Sequence, residues 1–360
     1  MKKNLTSAQW LRRFLALALA VLAVLAVLVY IIDPYYNYRA YDHKYKLDKI
    51  FSVPGVVKNY DYDAIVIGSS MTQNFDMDSF RQELGQNPIK ATLGGITGKE
   101  ISALFKLAQD SGHAQTYYIC IDNSVLSADS QEQRFPDYLM DFSLLNDYKY
   151  FWGYEAWMRF IPLNLGLLAA DSLGIELPQR FSEARSIDLM GDWAYRYEFS
   201  ADRVLSIYSE SDNGAAINVD MAGISENALD NCEVFVDSLD LSRGDIVFFF
   251  PPYSSLLWYK MEKEGSLEST MELKRHFMEL VDGYDNVKVY DFQGAEFTSN
   301  LDNYMDLSHY SPEINDFMVS CFASGDYLAD SSTLAETERQ IRDNIQVLLS
   351  RYPELEEIEK

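Results

Sequence analysis

An unbroken apolar run at residues 14–32, FLALALAVLAVLAVLVYII, constrains this chain more than any other feature. The run contains no charged residue and no proline, and as an α-helix it is long enough to cross a hydrocarbon core of roughly 30 Å. It continues into DPYYNY without the small-x-small pattern of a signal-peptide cleavage site, which favours an uncleaved anchor over a removed signal peptide. The sequence therefore predicts one membrane-spanning helix, and no second long apolar run follows it.

The charges around the apolar run predict its orientation. Asp33 and a tyrosine-rich stretch follow the run, whereas four basic residues precede it, Lys2, Lys3, Arg12 and Arg13. Because basic flanks favour the cytoplasmic side, we expect residues 1–13 to form a cytoplasmic tail and the chain after Asp33 to lie outside the cytoplasm. The tyrosines suit the aromatic belt that membrane proteins place at the bilayer surface.

Composition restricts the partners and cofactors of the chain. It contains 55 acidic and 30 basic residues, and the formal net charge of −25 opposes binding to a nucleic-acid backbone. The three cysteines, Cys120, Cys232 and Cys321, are widely spaced and form no CxxC pair, so no disulfide framework is indicated. With only four histidines the sequence offers no recognisable zinc site, and we expect the protein to use no cofactor.

Short apolar segments alternate with amphipathic ones after the anchor. Five segments predict buried parallel strands, at residues 64–67, 89–93, 117–121, 246–250 and 287–290. Amphipathic patterns predict helices at 78–84, 99–108 and 268–281. This alternation favours a parallel sheet covered on both faces, so the expected fold class is α/β. More than a hundred residues separate the third strand from the fourth, which indicates a large insertion.

These features divide the chain into stretches with different expected roles. They are a tail at 1–13, an anchor at 14–32, a stalk at 33–60, an α/β core at 61–124 and 225–330, an insertion at 125–224, and an acidic C-terminal helix or tail at 331–360 whose end is solvated and frayed. The insertion is rich in aromatic residues at 148–157 and 193–197. They could line a groove for a sugar or an acyl group, or they could form a small hydrophobic subcore or a platform on the membrane. The second interpretation is slightly favoured.

The chemistry in the sequence depends on two short motifs. Gly68-Ser69-Ser70 follows the first predicted strand, and open α/β sheets bind ligands beyond the carboxyl ends of their strands. A serine in that place often caps a helix or binds phosphate, and it is a poor nucleophile unless a base removes its proton. Asp306 and His309, near the far end of the chain, supply a base and an acid that can orient it. The three side chains predict a Ser-His-Asp site for acyl transfer.

Position distinguishes His309 from the other histidines. Of the four, only His309 follows an aspartate at this spacing. His43 falls in the predicted stalk, His113 in a predicted turn and His276 on the helix predicted at 268–281, so we expect structural roles for all three. The Asp-x-x-His pattern is common by chance, and its place after the last predicted strand is what makes it informative.

Together these motifs resemble the SGNH superfamily of hydrolases, also called GDSL-type. Ser70 matches the nucleophile of the first sequence block, with Ser69 in place of the usual aspartate, and Asp306 and His309 match the final block. The resemblance covers residues 63–311 apart from the insertion. It implies a three-layer α/β/α, flavodoxin-like fold with about five parallel strands.

The two inner blocks of the superfamily concern the oxyanion hole. Gly98 matches the glycine of the second block, and Asn123 matches the asparagine of the third. The resemblance therefore implies that the Ser70 N–H, the Gly98 N–H and Asn123 hold the negative oxygen of a tetrahedral intermediate, an effect commonly worth about 3 kcal/mol per donor. Gly94 and Gly95 are alternatives to Gly98.

This chain has Ser69 in place of the usual aspartate of the first block, and it has an N-terminal anchor. In both respects it is similar to a membrane-anchored branch of the superfamily. The branch includes the D-alanyl transfer proteins of lipoteichoic-acid modification and the SGNH partners of membrane-bound O-acyltransferases, in which a strand also runs into a double proline like Pro251-Pro252. The resemblance implies acyl or acetyl transfer to, or removal from, hydroxyl groups of a bacterial envelope polysaccharide or teichoic acid, with a membrane-bound O-acyltransferase as partner. A catalytically silent scaffold for polymer assembly is the alternative, and a ligand-binding sensor is a third hypothesis.

Overall fold

The computed structural model describes residues 6–40, 48–127, 133–176, 194–211 and 227–356. These residues belong to two compact units, of which unit 1 is drawn from Met1–Tyr60 and Pro136–Arg185, and unit 2 from Asp61–Phe135 and Ser186–Lys360. The predicted stalk and the middle of the predicted insertion therefore belong to the same unit. His43 of the predicted stalk and Trp193 of the predicted insertion lie outside the described residues.

Helices occur in both units, and the strands all belong to unit 2. The helices are α1 (Ser7–Ile32), α2 (Lys49–Asn59), α3 (Met77–Glu83), α4 (Gly98–Ser111), α5 (Asn123–Ser127), α6 (Tyr148–Phe151), α7 (Ile161–Ser172), α8 (Ala201–Ser211), α9 (Ala228–Asp237), α10 (Ser255–Glu264), α11 (Leu267–Val281), α12 (Pro312–Ser324) and α13 (Leu334–Arg351). The strands are β1 (Ala64–Gly68), β2 (Pro88–Thr92), β3 (Thr116–Cys120), β4 (Asp245–Phe250), β5 (Val287–Asp291) and β6 (Leu328–Ala329).

Unit 2 is built on one six-stranded sheet with the strand order β2-β1-β3-β4-β5-β6. The first five strands are parallel, and β6 pairs antiparallel with β5. The register sets Ile67 of β1 beside Ala91 of β2 and Ile119 of β3, and all three side chains are fully buried. The predicted α/β class is confirmed as a mixed fold with a mostly parallel sheet, and all five predicted strands are present.

The predicted helices also lie close to observed ones. The helices predicted at 78–84, 99–108 and 268–281 correspond to α3, α4 and α11, each within three residues at both ends. The edge strand β6 was not predicted, because a segment of two residues carries no periodic pattern.

The C-terminal helix α13 belongs to the core of unit 2. Its residues Ile341, Ile345 and Leu348 are buried in the main hydrophobic cluster. After the helix, a 3₁₀ turn at Pro353–Glu356 buries Leu355 completely in the same cluster. Pro353, Glu354 and Glu356 are exposed as the sequence predicted, but the prediction of a frayed end is wrong at Leu355, because burial of this leucine fixes the turn on the core.

Glycine is required at the end of β1. A Cβ added to Gly68 would lie 2.6 Å from the Thr72 side chain and 2.7 Å from the Cβ of Cys120. The chain turns there, and the Thr72 hydroxyl donates to the carbonyl oxygen of Ser69 at 2.8 Å. This close packing fixes the direction of the residues that follow the strand.

Helix α1 of unit 1 is long and apolar enough to span a membrane, and 6% of its most apolar window is buried. Thr6 caps its start by accepting the Gln9 N–H at 3.3 Å. Asp33 ends it in the left-handed conformation with a φ of 43°. The Asp33 carboxylate accepts hydrogen bonds from the Tyr150 hydroxyl at 2.7 Å and from the Asn37 N–H at 2.9 Å. The end of α1 is therefore held by both chain segments of unit 1.

Aromatic side chains form the core of unit 1. The rings of Tyr35 and Tyr150 lie 5.0 Å apart, and both are buried. Trp152 instead donates from its indole nitrogen to the carbonyl oxygen of Leu22, on α1, at 3.2 Å. The aromatic residues at 148–157 thus contribute to a hydrophobic subcore, in agreement with the favoured sequence interpretation.

Candidate active site

Ser70 lies on the turn that follows β1, which we call the serine turn (residues 69–73). Ser69 caps a 3₁₀ helix at Ser70–Thr72, because its hydroxyl oxygen accepts the Met71 N–H at 3.2 Å. The turn lies beyond the carboxyl end of β1, at the edge where open parallel sheets bind ligands. It carries Ser70 out of the strand and places it at that edge.

Asp306 and His309 lie on a short loop, the histidine loop (residues 304–310), which its own backbone closes. Tyr304 and Tyr310 form an isolated antiparallel bridge, and the Met305 N–H donates to the His309 carbonyl oxygen at 3.0 Å. The bridge and this hydrogen bond restrict the loop at both ends. They therefore limit the positions that the two side chains between them can take.

The double proline after β4 supports the histidine loop. The Tyr304 hydroxyl donates to the carbonyl oxygen of Pro252 at 3.0 Å. The Ser254 N–H donates to the carbonyl oxygen of Leu307 at 3.2 Å, and the Ser254 hydroxyl donates to the same oxygen at 2.5 Å. All four residues are buried, so the loop is anchored on the end of the central strand rather than on solvent-exposed chain.

The two motifs meet, although 239 residues separate them in the sequence. The Oγ of Ser70 lies 2.7 Å from Nε2 of His309, and Nδ1 of His309 lies 2.7 Å from Oδ2 of Asp306. The second oxygen of Asp306 accepts the backbone N–H groups of Ser308 and His309 at 2.8 Å each. With both carboxylate oxygens engaged, Asp306 holds the imidazole with Nε2 directed at the serine hydroxyl.

The serine turn and the histidine loop are also joined away from Ser70. The Tyr310 hydroxyl donates to the carbonyl oxygen of Met71 at 2.9 Å, and the Asn315 side-chain amide donates to the same oxygen at 3.4 Å. Both donors are buried, where hydrogen bonds are electrostatically stronger than in water. The distance between Ser70 and His309 is thus fixed by packing as well as by their own hydrogen bond.

Burial and charge have opposite effects on the pKa values of Asp306 and His309. Burial alone would raise the pKa of Asp306, but the hydrogen bond and charge of His309 and two backbone N–H groups hold it below the ordinary 3.8. Burial would lower the pKa of His309, but Asp306 raises it above the ordinary 6.5. His309 is therefore a stronger base than an exposed histidine, which suits the removal of a proton from serine.

A second carboxylate, that of the buried Asp122, borders the serine turn. It follows β3 and is hydrogen-bonded by the Ser69 side chain, and its charge helps to raise the pKa of His309. The Tyr253 hydroxyl donates to its Oδ1 at 3.4 Å. Burial raises the pKa of Asp122 above the ordinary 3.8, against the opposing effects of these three neighbours. Sequence analysis assigned this residue no role, although an acidic residue directly after a buried strand was an available signal.

Asn123 begins α5 beside Asp122. Its backbone N–H donates to the Tyr253 hydroxyl oxygen at 3.0 Å. Its side-chain nitrogen is buried and has no hydrogen-bond partner among the described residues. A buried donor without an acceptor is costly unless a ligand supplies one, so this amide is suited to bind an oxygen of a bound molecule.

The three glycines considered for the oxyanion hole have different surroundings. Gly98 begins α4, and a Cβ there would lie 3.1 Å from the Phe235 ring, so the residue packs closely against α9. Gly95 has a positive φ of +59°. A Cβ on Gly94 would lie 3.7 Å from the side-chain nitrogen of Gln73, at the end of the serine turn. The structure thus links Gly94 to the serine turn, whereas the role of Gly98 stays a prediction.

Arg134 holds the glycine-rich loop at residues 94–98 in place. Its guanidinium donates to the carbonyl oxygens of Gly94 and Gly95 at 3.0 and 2.8 Å, and it pairs with Glu100 at 2.7 Å. Glu100 is fully buried and accepts the Thr97 N–H at 3.1 Å in the capping box of α4. Burial would raise the pKa of Glu100, but Arg134 and the Thr97 N–H hold it below the ordinary 4.5. One arginine therefore holds the loop against the start of α4.

Replacing Arg134 by methionine is expected to lower the free energy of unfolding by about 3 kcal/mol, because the variant leaves the Glu100 carboxylate buried without its partner. Urea denaturation of the detergent-solubilised chain measures the change. The low pKa of Glu100 stabilises the wild type at neutral pH, and this contribution is lost as the pH falls through that pKa, so the difference between the two proteins should shrink in acid. Arg339, which pairs with Glu336 on the surface, provides the control, and equal losses in Arg134→Met and Arg339→Met would contradict this interpretation.

Other potential ligand groups have structural surroundings. In the described parts of the chain, no group of three or more His, Cys, Asp or Glu side chains is placed to hold a metal ion. The three cysteines are free and buried. His113 lies against the Tyr62 ring with 5.2 Å between centroids, and Nε2 of His276 lies 3.2 Å from the Glu233 carboxylate. These two histidines have contacts of the structural kind that the sequence suggested.

The structure brings three of the predicted site residues, Ser70, His309 and Asp306, into direct contact. It places Asn123 next to Asp122, whose side chain contacts Ser69. No protein-family model and no curated protein matches this chain. The chemistry of the site is therefore inferred from its own geometry.

Proposed function

We propose that the protein is a membrane-anchored serine esterase or O-acyltransferase that acts outside the cytoplasm on acyl or acetyl esters of an envelope polysaccharide or teichoic acid. The observation that carries the proposal is the continuous contact from the Ser70 hydroxyl through His309 to Asp306, with 2.7 Å at each step. A histidine held between a serine and a carboxylate is the arrangement that activates a serine for attack on an ester.

In the first half-reaction, the Oγ of Ser70 attacks the carbonyl carbon of the ester while its proton passes to Nε2 of His309. Negative charge develops on the carbonyl oxygen, and the Asn123 amide and the Ser70 backbone N–H are the donors that would stabilise it. His309 then gives the proton to the departing alkoxide, which leaves as an alcohol, and Ser70 keeps the acyl group as an ester. Asp306 stays ionised and stabilises the imidazolium.

The second half-reaction decides between the two activities. An acceptor hydroxyl gives its proton to His309 and attacks the acyl-serine ester, and the proton returns to the Ser70 oxygen as that ester breaks. Water as acceptor releases a carboxylic acid, whereas a sugar or polyol hydroxyl gains a new ester. The apolar helix α1 favours transfer, because an anchor would keep the protein near a membrane-bound O-acyltransferase that supplies the acyl group.

The resemblance to SGNH hydrolases supports the same chemistry. The α/β fold of unit 2 and the order of its site residues along the chain agree with a flavodoxin-like SGNH arrangement. That superfamily has an aspartate where this chain has Ser69, and here Asp122 brings a carboxylate to the Ser69 side chain from the neighbouring strand. We infer that the carboxylate usually provided by the first block is supplied by Asp122.

Labelling of the full-length chain with a fluorophosphonate probe in detergent micelles tests the proposal. These probes modify serines that are activated as nucleophiles, so labelling that disappears in Ser70→Ala would support an enzyme. A folded wild-type chain that takes no label would favour the catalytically silent scaffold. Turnover of p-nitrophenyl acetate with an added sugar then separates the two activities, because only a transferase forms the acetylated sugar.

Replacing Asn123 by alanine is expected to lower kcat by a factor on the order of 10²–10³ with little change in KM, because the side-chain amide would bind the oxygen mainly in the transition state. Steady-state hydrolysis of p-nitrophenyl acetate measures both constants. The backbone hydrogen bond from Asn123 to Tyr253 does not involve the side chain, so thermal unfolding should change little. An unchanged kcat would remove Asn123 from the oxyanion hole.

Replacing Asp122 by asparagine is expected to shift the pH dependence of kcat/KM to lower pH. Activity requires neutral His309 and therefore rises as the pH passes the pKa of this residue, which Asp306 and Asp122 raise. Removal of the Asp122 charge makes the imidazolium less stable, so its proton is lost at lower pH. The exposed Asp110, replaced in the same way, is the control, and equal midpoints in wild type and Asp122→Asn would show that Asp122 carries no charge felt by His309.

A further inference from the structure

Residues 142–175 of unit 1 expose an unusual amount of apolar surface. Eleven large apolar side chains in this segment are exposed, and Leu144 and Leu145 are 76% and 91% exposed. By comparison, seven such side chains are exposed among the described residues of unit 2, although that unit is larger. Apolar surface at this density marks a contact with something other than water.

The segment contacts α1 at a defined depth. The indole nitrogen of Trp152 donates to the carbonyl oxygen of Leu22 at 3.2 Å. Leu22 precedes Ile32, the last residue of α1, by ten residues, which is about 15 Å along a helix. This distance is about half of a hydrocarbon core of roughly 30 Å. When α1 spans a bilayer, the Trp152 ring therefore lies within the hydrocarbon.

The same segment is bound at the outer end of α1. The Tyr150 hydroxyl donates to Asp33, the residue that ends α1, at 2.7 Å. Nearby, the Tyr38 hydroxyl donates to the buried carboxylate of Asp147 at 2.7 Å. Two adjacent parts of one segment thus contact α1 at its end and near its middle, so the segment lies along the outer half of the helix.

The charges of the segment are compatible with contact to lipid. Arg159 pairs with Asp48 at 2.8 Å and with the partly exposed Glu155 at 3.7 Å, and Asp147 is buried. Lys149 is exposed on α6, and its four-carbon stem can lift the ammonium group to the lipid phosphates. Residues 161–170 of α7 include no charged side chain, and the exposed Asp171 follows them in the last turn of that helix.

We infer that residues 142–175 are embedded in the outer leaflet of the lipid bilayer as a non-spanning platform beside α1. The inference rests on the membrane anchoring in the proposed function and adds a second contact with lipid to it. The occupant of the exposed apolar surface is phospholipid, because α1 is 6% buried in its most apolar window and the lipid around α1 is continuous with the segment packed on it.

Spin labels in vesicles test this inference. Leu145→Cys, Met158→Cys and Leu168→Cys place one nitroxide each on the full-length chain, reconstituted into vesicles of phosphatidylcholine and phosphatidylglycerol. The native cysteines are buried, and labelling of the wild type measures their background. Power saturation compares collisions with oxygen, which concentrates in lipid, with collisions with a nickel chelate, which stays in water. We expect all three labels to collide several-fold more with oxygen than with the chelate.

Two further labels distinguish a failure of this inference from a failure of the proposed membrane anchor. Val24→Cys lies on α1 and is 59% exposed, so it reports whether the anchor is in lipid, and Val234→Cys on α9 is an exposed apolar control outside the segment at 61%. Labels on the segment that behave like Val234 while Val24 is in lipid would overturn the inference and leave the anchor intact. A Val24 label in water would overturn the anchor itself. Labels shielded from both reagents would show that a second copy of the chain covers this surface, which also overturns the inference.

Discussion

Replacement of Ser70 by alanine is expected to reduce ester hydrolysis by a factor on the order of 10⁴ or more, because the variant loses the hydroxyl that lies 2.7 Å from Nε2 of His309. Replacement of His309 by alanine should cost about as much. The double variant should be no slower than either single variant, since the two side chains act as one unit. Initial rates with p-nitrophenyl acetate, measured on the full-length chain in micelles, provide the comparison.

Ser350 provides the matched control for this prediction. It is an exposed serine on α13 whose hydroxyl donates to the carbonyl oxygen of Val347 at 2.8 Å, so Ser350→Ala should keep full activity. Wild-type rates in the Ser70→Ala variant would assign the hydrolysis to another residue. Additive losses in the double variant would mean that Ser70 and His309 act independently, in conflict with their 2.7 Å contact.

Replacement of Asp306 by asparagine is expected to lower kcat by a factor on the order of 10⁴, because an amide can donate to Nδ1 of His309 and stabilise the tautomer that cannot accept the serine proton. The variant also loses the charge that raises the pKa of His309. The residual activity should therefore reach its plateau at lower pH than that of the wild type. A pH series of kcat/KM measures the loss and the shift together.

Asp302 is the matched control for Asp306. It lies four residues earlier, and its carboxylate accepts the Ala201 N–H at 2.9 Å, away from the imidazole. Asp302→Asn should leave both the rate and the pH midpoint unchanged. A large loss of rate in Asp306→Asn without any shift of the midpoint would indicate a structural effect on the histidine loop instead of an electrostatic one.

The sheet could be predicted from sequence because each parallel strand is a short apolar run with polar neighbours. The run at 246–250, IVFFF, is an example, and its residues are buried in β4. Unit 1 could not be predicted in this way, because its packing depends on contacts between distant residues. The hydrogen bond from Tyr150 to Asp33 joins positions 117 residues apart, and no local sequence pattern predicts it.

In the candidate site, too, the residues in local motifs could be predicted from sequence, whereas those that act through distant contacts could not. Asp306 and His309 are three residues apart and were found as a motif, and Ser70 was found because a glycine and a strand precede it. No role was predicted for Asp122 or Arg134, because each residue acts through contacts with side chains of other elements. Arg134 contacts Glu100 from a stretch of irregular chain, where charge alone does not distinguish a buried pair from a solvated one.

The two contacts that attach residues 142–175 to α1 also determine an order of assembly. Tyr150 and Trp152 are synthesised 117 and 130 residues after their partners Asp33 and Leu22. At a synthesis rate of roughly 5–20 residues per second, these two side chains are added on the order of 6–26 seconds after their partners on and next to α1. During this interval β1, β2 and β3 emerge, whereas β4 and β5 follow later. A chain truncated shortly after residue 176 would therefore contain nearly all of unit 1 and a sheet that lacks its central strand β4.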